Sequence, residues 1–399
     1  MRKLKIRPST AFIVLCWLVY ATSYIGKVNY SANINQVMEF YNVDHSSAGL
    51  ASTFFFFAYG AGQIVNGLLC RYYNVKYVVD WDEHRRNVAK EIYPGCETFS
   101  DYKELFNKKD IDVVVNVTYS NLHFEISKDL LEHGFNVLSD KPFGRTRYEG
   151  ETLMKIAKDN GCFVMAFQQT FYAPIYLHTK EVIDSGILGK IEQINLRYNS
   201  LSRRWDWQTL QKRLGGNCYN TGPHPIGMGL GFIDFDENTR VVYSKLDNTP
   251  MTAGDYDDYA KILFTAPGKA LVDIEISNTD AYSNYAIKVQ GTKGTLLSTH
   301  QGYKMKYLVD GENPEIKPIE NFICHEDLTP AYCSEKLITH EVEDKYDGDP
   351  FGMGTAKLYE DMYKCLTEGK EPMITAKHAT QVVGIIEEIH TQNPLPLKY

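Results

Sequence analysis

The chain has 399 residues, a net charge of -8 and 13% aromatic residues. That length can bury two sizeable cores, and basic residues without a long run argue against a nucleic-acid partner. Eight cysteines stand at 16, 70, 96, 162, 218, 324, 333 and 365 without paired short spacing. Cys324-His325 followed by Cys333 lacks the second ligand pair of a zinc site, so no metal and reduced thiols are expected.

Met1 to Pro8 carries Arg2, Lys3, Lys5 and Arg7, and Ser9 to Gly26 follows without a charge. A second charge-free stretch runs from His45 to Cys70 through FFFFAYGAG. Each is long enough for a helix to cross a hydrocarbon layer of roughly 30 Å, and the basic start predicts a cytoplasmic N-terminus. Two transmembrane-like helices over residues 1–72 are therefore expected, with a signal peptide or helices buried in a globular fold as alternatives.

From Val75 short apolar runs alternate with amphipathic stretches. VKYVV predicts a strand ending at Asp80, and Glu83 to Ile92 a helix. Strands follow at Asp112–Val117, Asn136–Ser139 and Cys162–Phe167, with helices over His123–His133, closed by Gly134, and Glu149–Asn160. This alternation implies a parallel sheet. After Ala173 longer segments, Glu192–Tyr198, Tyr259–Phe264, Ala270–Ser277 and Ala286–Gln290, alternate apolar and polar residues as an open antiparallel sheet does. Helices near Ala356–Thr367 and Ala376–Ile389 are expected to pack back across the domains.

Two resemblances organise these elements. YATSYIGKVNYSANI and SSAGLASTFFFFAYGAGQIVNGLLCRYYNVKYVV resemble the first two of twelve spans of a major facilitator transporter of the organophosphate-antiporter type. In that family the position of Lys27 faces the substrate path and binds phosphate. From about Tyr73 onward, DVVVNVTYSNLHFEISKDLLEHGFNVLSDKPFG, VIDSGILGKI, GGNCYNTGPHP, VQGTKGTLLS and the LYEDMYKCLTEGKEPMITAKHATQVVGIIEEIH tail resemble the glucose-fructose oxidoreductase and inositol dehydrogenase family, Gfo/Idh/MocA. The expectation is α/β: a membrane segment over 1–72, an incomplete Rossmann-type parallel sheet over 73–172, and an α+β substrate or oligomerisation domain with an open antiparallel sheet over 173–399.

The second resemblance implies the chemistry. Asp80 ends the strand that delivers an acid to the ribose hydroxyls, favouring NAD over NADP; a helix N-cap is the alternative. Asp140-Lys141-Pro142 stands for the family's Glu-Lys-Pro, with Lys141 reaching nicotinamide and substrate hydroxyl and Pro142 fixing its direction. In GGNCYNTGPH, His224 matches the residue that accepts the alcohol proton while hydride leaves the same carbon, a task suited to imidazole. Asn220 replaces a frequent Asp, able to orient the imidazole without stabilising its charge. Asn121 and His123 match the cofactor loop, and Gln168, Gln169 and Tyr172 the entry to the substrate domain. Arg203, Arg204, Trp205 and Asp206 form an aromatic-basic group that lines the pocket mouth or is a packed surface loop. Gly227, Gly229 and Gly231, each costing up to about 1 kcal/mol in a helix, predict an irregular helix after His224.

The family begins with a strand, a Gly-x-Gly-x-x-Gly turn and a helix. The one candidate for that turn is Gly60-Ala61-Gly62, inside the second apolar stretch, which is read here as a span. Three functions follow: an NAD-dependent oxidoreductase acting on a sugar or cyclic polyol, membrane-tethered with its catalytic part cytoplasmic, or cytoplasmic throughout if the N-terminal segment is an artefact, with the homo-oligomer common in the family left open; an inactive fusion unable to hold NAD; or a transporter fragment.

Overall fold

The computed structural model describes residues 75–399 except 317, 319–323 and 333. The two expected spans, Lys27, the Gly60-Ala61-Gly62 stretch and Cys333 lie outside the described residues. Among the described residues no helix is long and apolar enough to cross a membrane. The chain divides into two compact units, up to Asp110 and from Ile111 to Tyr399.

In the first unit, β1 (Tyr77–Val79) pairs in parallel with β2 (Glu97–Phe99), Tyr77 opposite Glu97. Between them α1 spans Glu83–Ile92, the bounds its periodicity predicts. Its N-cap is Asp82, whose carboxylate accepts from His84 and Arg85 N–H and so satisfies two orphan donors of the first turn. Asp80 is therefore not the cap. Its Oδ1 takes the Asp82 N–H at 2.8 Å, and Oδ2 lies 3.7 Å from Arg85 Nη1.

In the second unit, β3 (Val114–Asn116), β4 (Val137–Ser139) and β5 (Val164–Ala166) form a three-stranded parallel sheet. The expected parallel pairing holds, but the strands form a separate two-stranded and three-stranded sheet. Each is three residues long, shorter than its apolar run predicts. Helices α2 (His123–Glu132) and α3 (Arg147–Asp159) connect them, and Gly134, at a φ of 85°, ends α2 as a left-handed residue must.

After α4 (Pro174–Asp184) the chain builds an eight-stranded sheet. Its strands are β6 (Ile191–Asn199), β7 (Arg240–Asp247), β8 (Tyr259–Thr265), β9 (Leu271–Ser277), β10 (Ile287–Gly291), β11 (Gly294–Ser298), β12 (Gly302–Tyr307) and β13 (His340–Lys345). The order is β13-β12-β11-β10-β6-β9-β8-β7. The sheet is mixed and not purely antiparallel, because β6 runs parallel to β9. One face is apolar: Ile194, Leu196, Ile262, Phe264, Val272 and Ile274 are buried. On β6, β8 and β9, Arg197 and Lys261 both pair with Asp273, and Lys261 also reaches Glu275.

Two short helices precede β7: α5 (Gly216–Asn220) and α6 (Pro223–Phe232). The expectation of irregular backbone after His224 is wrong, since α6 is a continuous α-helix. Its glycines trade propensity for proximity. A Cβ on Gly229 would lie 2.7 Å from Val272 Cγ1, and one on Gly231 2.3 Å from the Tyr176 hydroxyl. Tertiary packing therefore outweighs the intrinsic cost of glycine at these positions. Finally α7 (Pro350–Glu368) and α8 (Ala376–Gln392) return, α8 lying against both α3 and β7. Glu387 on α8 accepts the Arg147 N–H at 2.8 Å. The expectation that the last helices pack back across the chain holds for α8.

Candidate active site

The loop after β4 carries Asp140, Lys141 and Pro142, joined by a cis Lys141-Pro142 peptide. Asp140 Oδ1 accepts the Lys141 N–H at 2.8 Å, so one oxygen of the acid shapes the turn. The Lys141 ammonium donates to Asn220 twice, to the backbone oxygen at 2.7 Å and to Oδ1 at 2.9 Å. Asn220 is the last residue of α5, where a carbonyl lacks an intrahelical partner and attracts a cation. Burial pushes the Lys141 pKa down, the neighbouring Arg204 charge adds to this, and Asp140 opposes it.

His224 stands in the first turn of α6, after Pro223. Only a glycine fits at 222, because a Cβ there would lie 2.1 Å from the Cys218 carbonyl oxygen. This contact lets α5 and α6 follow one another so closely that Asn220 and His224 share one site. His224 Nδ1 lies 3.3 Å from Thr170 Oγ1, and Nε2 has no hydrogen-bond partner among the described residues. Burial drives the His224 pKa down to about 3, with the Lys141 charge acting in the same direction. At neutral pH the imidazole is therefore uncharged.

Asn220 does not orient the imidazole as expected. Its oxygen is occupied by Lys141 and by Gln208 Nε2, at 2.9 Å each, and Thr170 is the partner of His224. Gln208 in turn accepts from Arg204, whose guanidinium also pairs with Asp206 at 2.9 Å. A chain Arg204–Gln208–Asn220–Lys141 thus joins the 203–208 loop to the Lys141 ammonium. Thr170 and Gln208 were not legible in the sequence, since their partners lie 54 and 12 residues away.

Three expected ligand contacts are corrected. His123 is buried, with Nδ1 2.9 Å from the Pro142 oxygen and Nε2 3.1 Å from the Thr118 oxygen. Both ring nitrogens are taken by the backbone, so the ring ties the β3 loop to the lysine loop and is not free for a cofactor. Tyr172 is buried and donates its hydroxyl to Asp361 at 2.6 Å, which ties it to α7 and leaves that hydroxyl proton taken. Burial, and then the Asp361 carboxylate, raise its pKa. Trp205 is 80% exposed; it is Trp207 whose ring meets Tyr119, at 4.9 Å between centroids.

Asn121 and Gln168 stand after the β3 and β5 strands, the carboxyl edge where open α/β sheets take ligands. Asn121 Oδ1 and Gln168 Oε1 are buried without a partner among the described residues. Such atoms are costly unless a ligand or water satisfies them, and an amide group of a dinucleotide's nicotinamide has the donors to do so. The residues of this edge fit the group.

Comparison with known proteins agrees in family. Residues 61–168 match the oxidoreductase family with an NAD-binding Rossmann fold, and residues 176–297 match the GFO/IDH/MocA C-terminal domain. The first match reaches back beyond the boundary expected at residue 73. The uncharacterized oxidoreductase YhhX of Escherichia coli is 24% identical over 306 residues, 74% of this chain and 82% of its own length. The scyllo-inositol 2-dehydrogenase (NADP(+)) IolW of Bacillus subtilis is 24% identical over 316 residues, covering 76% and 82%. Among solved structures, an NAD-binding protein from Listeria innocua superposes with a TM-score of 0.65 at 22% identity, covering 80% of this chain and 90% of that one.

Proposed function

Because the chain belongs to the Gfo/Idh/MocA oxidoreductase family, we propose that it interconverts a hydroxyl and a carbonyl on a sugar or cyclic polyol, using NAD. The observation that carries this reading is the Lys141–Asn220 pairing beside a neutral His224. The nicotinamide cofactor would supply the hydride acceptor, and Asn121, Gln168 and Lys141 would hold its nicotinamide end. Within its own unit, Asp80 at the end of β1 keeps acceptor capacity beyond the Asp82 N–H, the kind that ribose hydroxyls take in dinucleotide-binding sheets. The family match begins at residue 61, within the Gly60-Ala61-Gly62 stretch.

In this reading the substrate hydroxyl lies between Lys141 and His224. The neutral imidazole accepts the hydroxyl proton at Nε2 while Nδ1 is steadied by Thr170. Lys141 stabilises the negative charge that grows on the same oxygen, and Asn220 fixes where its ammonium points. Arg204 stands one link away, through Gln208, and contributes to positioning more than to contact with the reacting carbon. The dehydrogenase of B. subtilis acts on scyllo-inositol by its name, which supports a cyclic polyol as the first substrate to assay.

The test has two arms. Titrating NAD and NADP into the purified chain, with tryptophan fluorescence as the signal, reports cofactor binding apart from turnover. Assaying a panel of inositols and aldoses at 340 nm, with Lys141→Ala and His224→Gln as controls, reports the chemistry. Binding without turnover on any hydroxyl substrate would refute the reaction; no binding of either dinucleotide would support the inactive fusion.

A further inference from the structure

Asp255 is buried in the loop between β7 and β8, away from the Lys141 side chain in sequence and in role. Its carboxylate is nonetheless the meeting point of two segments. Oδ1 accepts the Gln211 N–H at 2.9 Å, and Oδ2 accepts the Lys398 N–H at 3.0 Å and the Tyr399 N–H at 3.3 Å. Burial pushes its pKa up, but these backbone donors outweigh it and hold the carboxyl below its usual range.

The segment 396–399 adds contacts of its own. The Gln211 side-chain amide bridges the Asp255 and Pro396 oxygens at 2.8 and 2.9 Å. Lys398 Nζ donates to Asn248 at 2.9 Å, and the Tyr399 hydroxyl to the Ala253 oxygen at 3.1 Å. The 248–255 loop is closed against the segment before α5, because Asp255 and Tyr256 N–H both donate to the Thr209 oxygen. A Cβ on Gly254 would stand 1.8 Å from that oxygen, so the two backbones touch. Thr209 follows Gln208, the residue that holds Asn220 against Lys141.

We propose that Asp255 is a positioning residue, and that residues 396–399, docked on it, keep the Gln208–Asn220–Lys141 chain in register. The hub works through contacts in series. Residues 396–399 and Asp255 pin Gln211 and Thr209, these pin Gln208, and Gln208 with the end of α5 fixes the two oxygens that receive the lysine. This inference rests on the catalytic role given to Lys141, yet it makes a claim about the lysine's ordering that holds whether or not substrate turns over.

The test is lysine labelling on the full folded chain, with an amine-acylating reagent and peptide mass spectrometry. Three proteins are compared: wild type, Asp255→Asn, and a form ending at Leu395. Lys155, whose side chain is 79% exposed, calibrates the reagent, and Lys261, 21% exposed and held by Asp273 on the sheet, reports general loosening. The expected result is that Lys141 labels about fivefold faster in both altered proteins, the factor that losing one hydrogen bond gives. Lys261 should be unchanged, and kcat for the polyol reaction should fall with KM held. Labelling of Lys141 at the wild-type rate in the shortened, folded chain would overturn the proposal. A parallel rise at Lys261 would also overturn it, because the hub would then serve stability alone. A labelling change without any turnover in wild type would sustain the positioning role and refute the proposed reaction.

Discussion

Acid should strip stability from this protein through one histidine. His224 is driven to a pKa of about 3 in the native chain by burial and the Lys141 charge, whereas an unfolded chain restores a histidine to about 6.5. Between those values the unfolded state binds a proton that the native state refuses, so stability rises with pH across the window and is lost as pH falls through it. Above pH 6.5 both states carry a neutral ring and the contribution is flat. Lowering the pH to 4.5 spans two units, which is about 2.7 kcal/mol at 1.36 kcal/mol per unit. The assay is urea unfolding followed by tryptophan fluorescence at pH 7.5 and 4.5, on wild type and His224→Gln. Carboxylates and the other histidines titrate in both proteins and cancel in the difference. Wild type should lose about 2–3 kcal/mol more than the variant on acidification. Equal losses would mean that His224 keeps an ordinary pKa, and the burial and Lys141 charge read as depressing it would not act on the ring in the folded chain.

Gly229→Ala inserts a methyl 2.7 Å from Val272 Cγ1 and 3.0 Å from the Phe264 ring. Helix propensity favours Ala by about 1 kcal/mol and overpacking costs about 1–3 kcal/mol, so urea unfolding should show a net loss. Tyr172→Phe removes the hydroxyl that donates to Asp361; a loss of about 1.5–3 kcal/mol is expected for a bond to a charged acceptor, with the KM for substrate unchanged. Asn220→Asp places a carboxylate on the lysine ammonium in place of a neutral oxygen. The Lys141 pKa should rise, which moves the alkaline limb of the pH–rate profile, and the pH at which Lys141 labels, upward together.

Where the sequence was legible, a single physical signal dominated. The alternation of β8 and β9 survives as alternating burial along both strands, and α1 has the predicted bounds because cap, acidic first turn and breaker coincide. Strand β2 was missed because three residues, Glu97 to Phe99, are too short to show a period. Strand β13 was missed because every residue of His340–Lys345 is exposed, so no hydrophobic face marks it. The α6 glycines misled because propensity counts backbone freedom and cannot see Val272 and Phe264 waiting across the interface. At the site, Lys141 and Asn220 were both named from local motifs and are hydrogen-bonded across 79 residues, while His224 feels the Lys141 charge and contacts Thr170. Tyr172 and His123 were misassigned because their partners, Asp361 and the Pro142 carbonyl, lie 189 and 19 residues away.

The neutral side chain at position 220 bears on the electrostatics of Lys141. Both hydrogen-bond acceptors of the Lys141 ammonium are neutral oxygens of Asn220, and one oxygen of the nearby Asp140 is spent on the backbone N–H of its own turn. Among the described residues the lysine is thus a cation ordered by dipoles and without an ion-paired carboxylate, in a setting where burial already disfavours its charge. The same positive charge helps to keep His224 neutral. A substrate oxygen that loses its proton to the imidazole would then be the nearest anion available to the lysine. Fixed dipoles aimed at a cation hold it in place without cancelling it, so its field is strongest when negative charge develops on the substrate. A carboxylate at 220 would hold the lysine as firmly and compete with that anion in every state of the reaction. On this reasoning the uncancelled lysine charge follows from a neutral side chain at 220, while the neutrality of His224 follows from burial first and that lysine charge second.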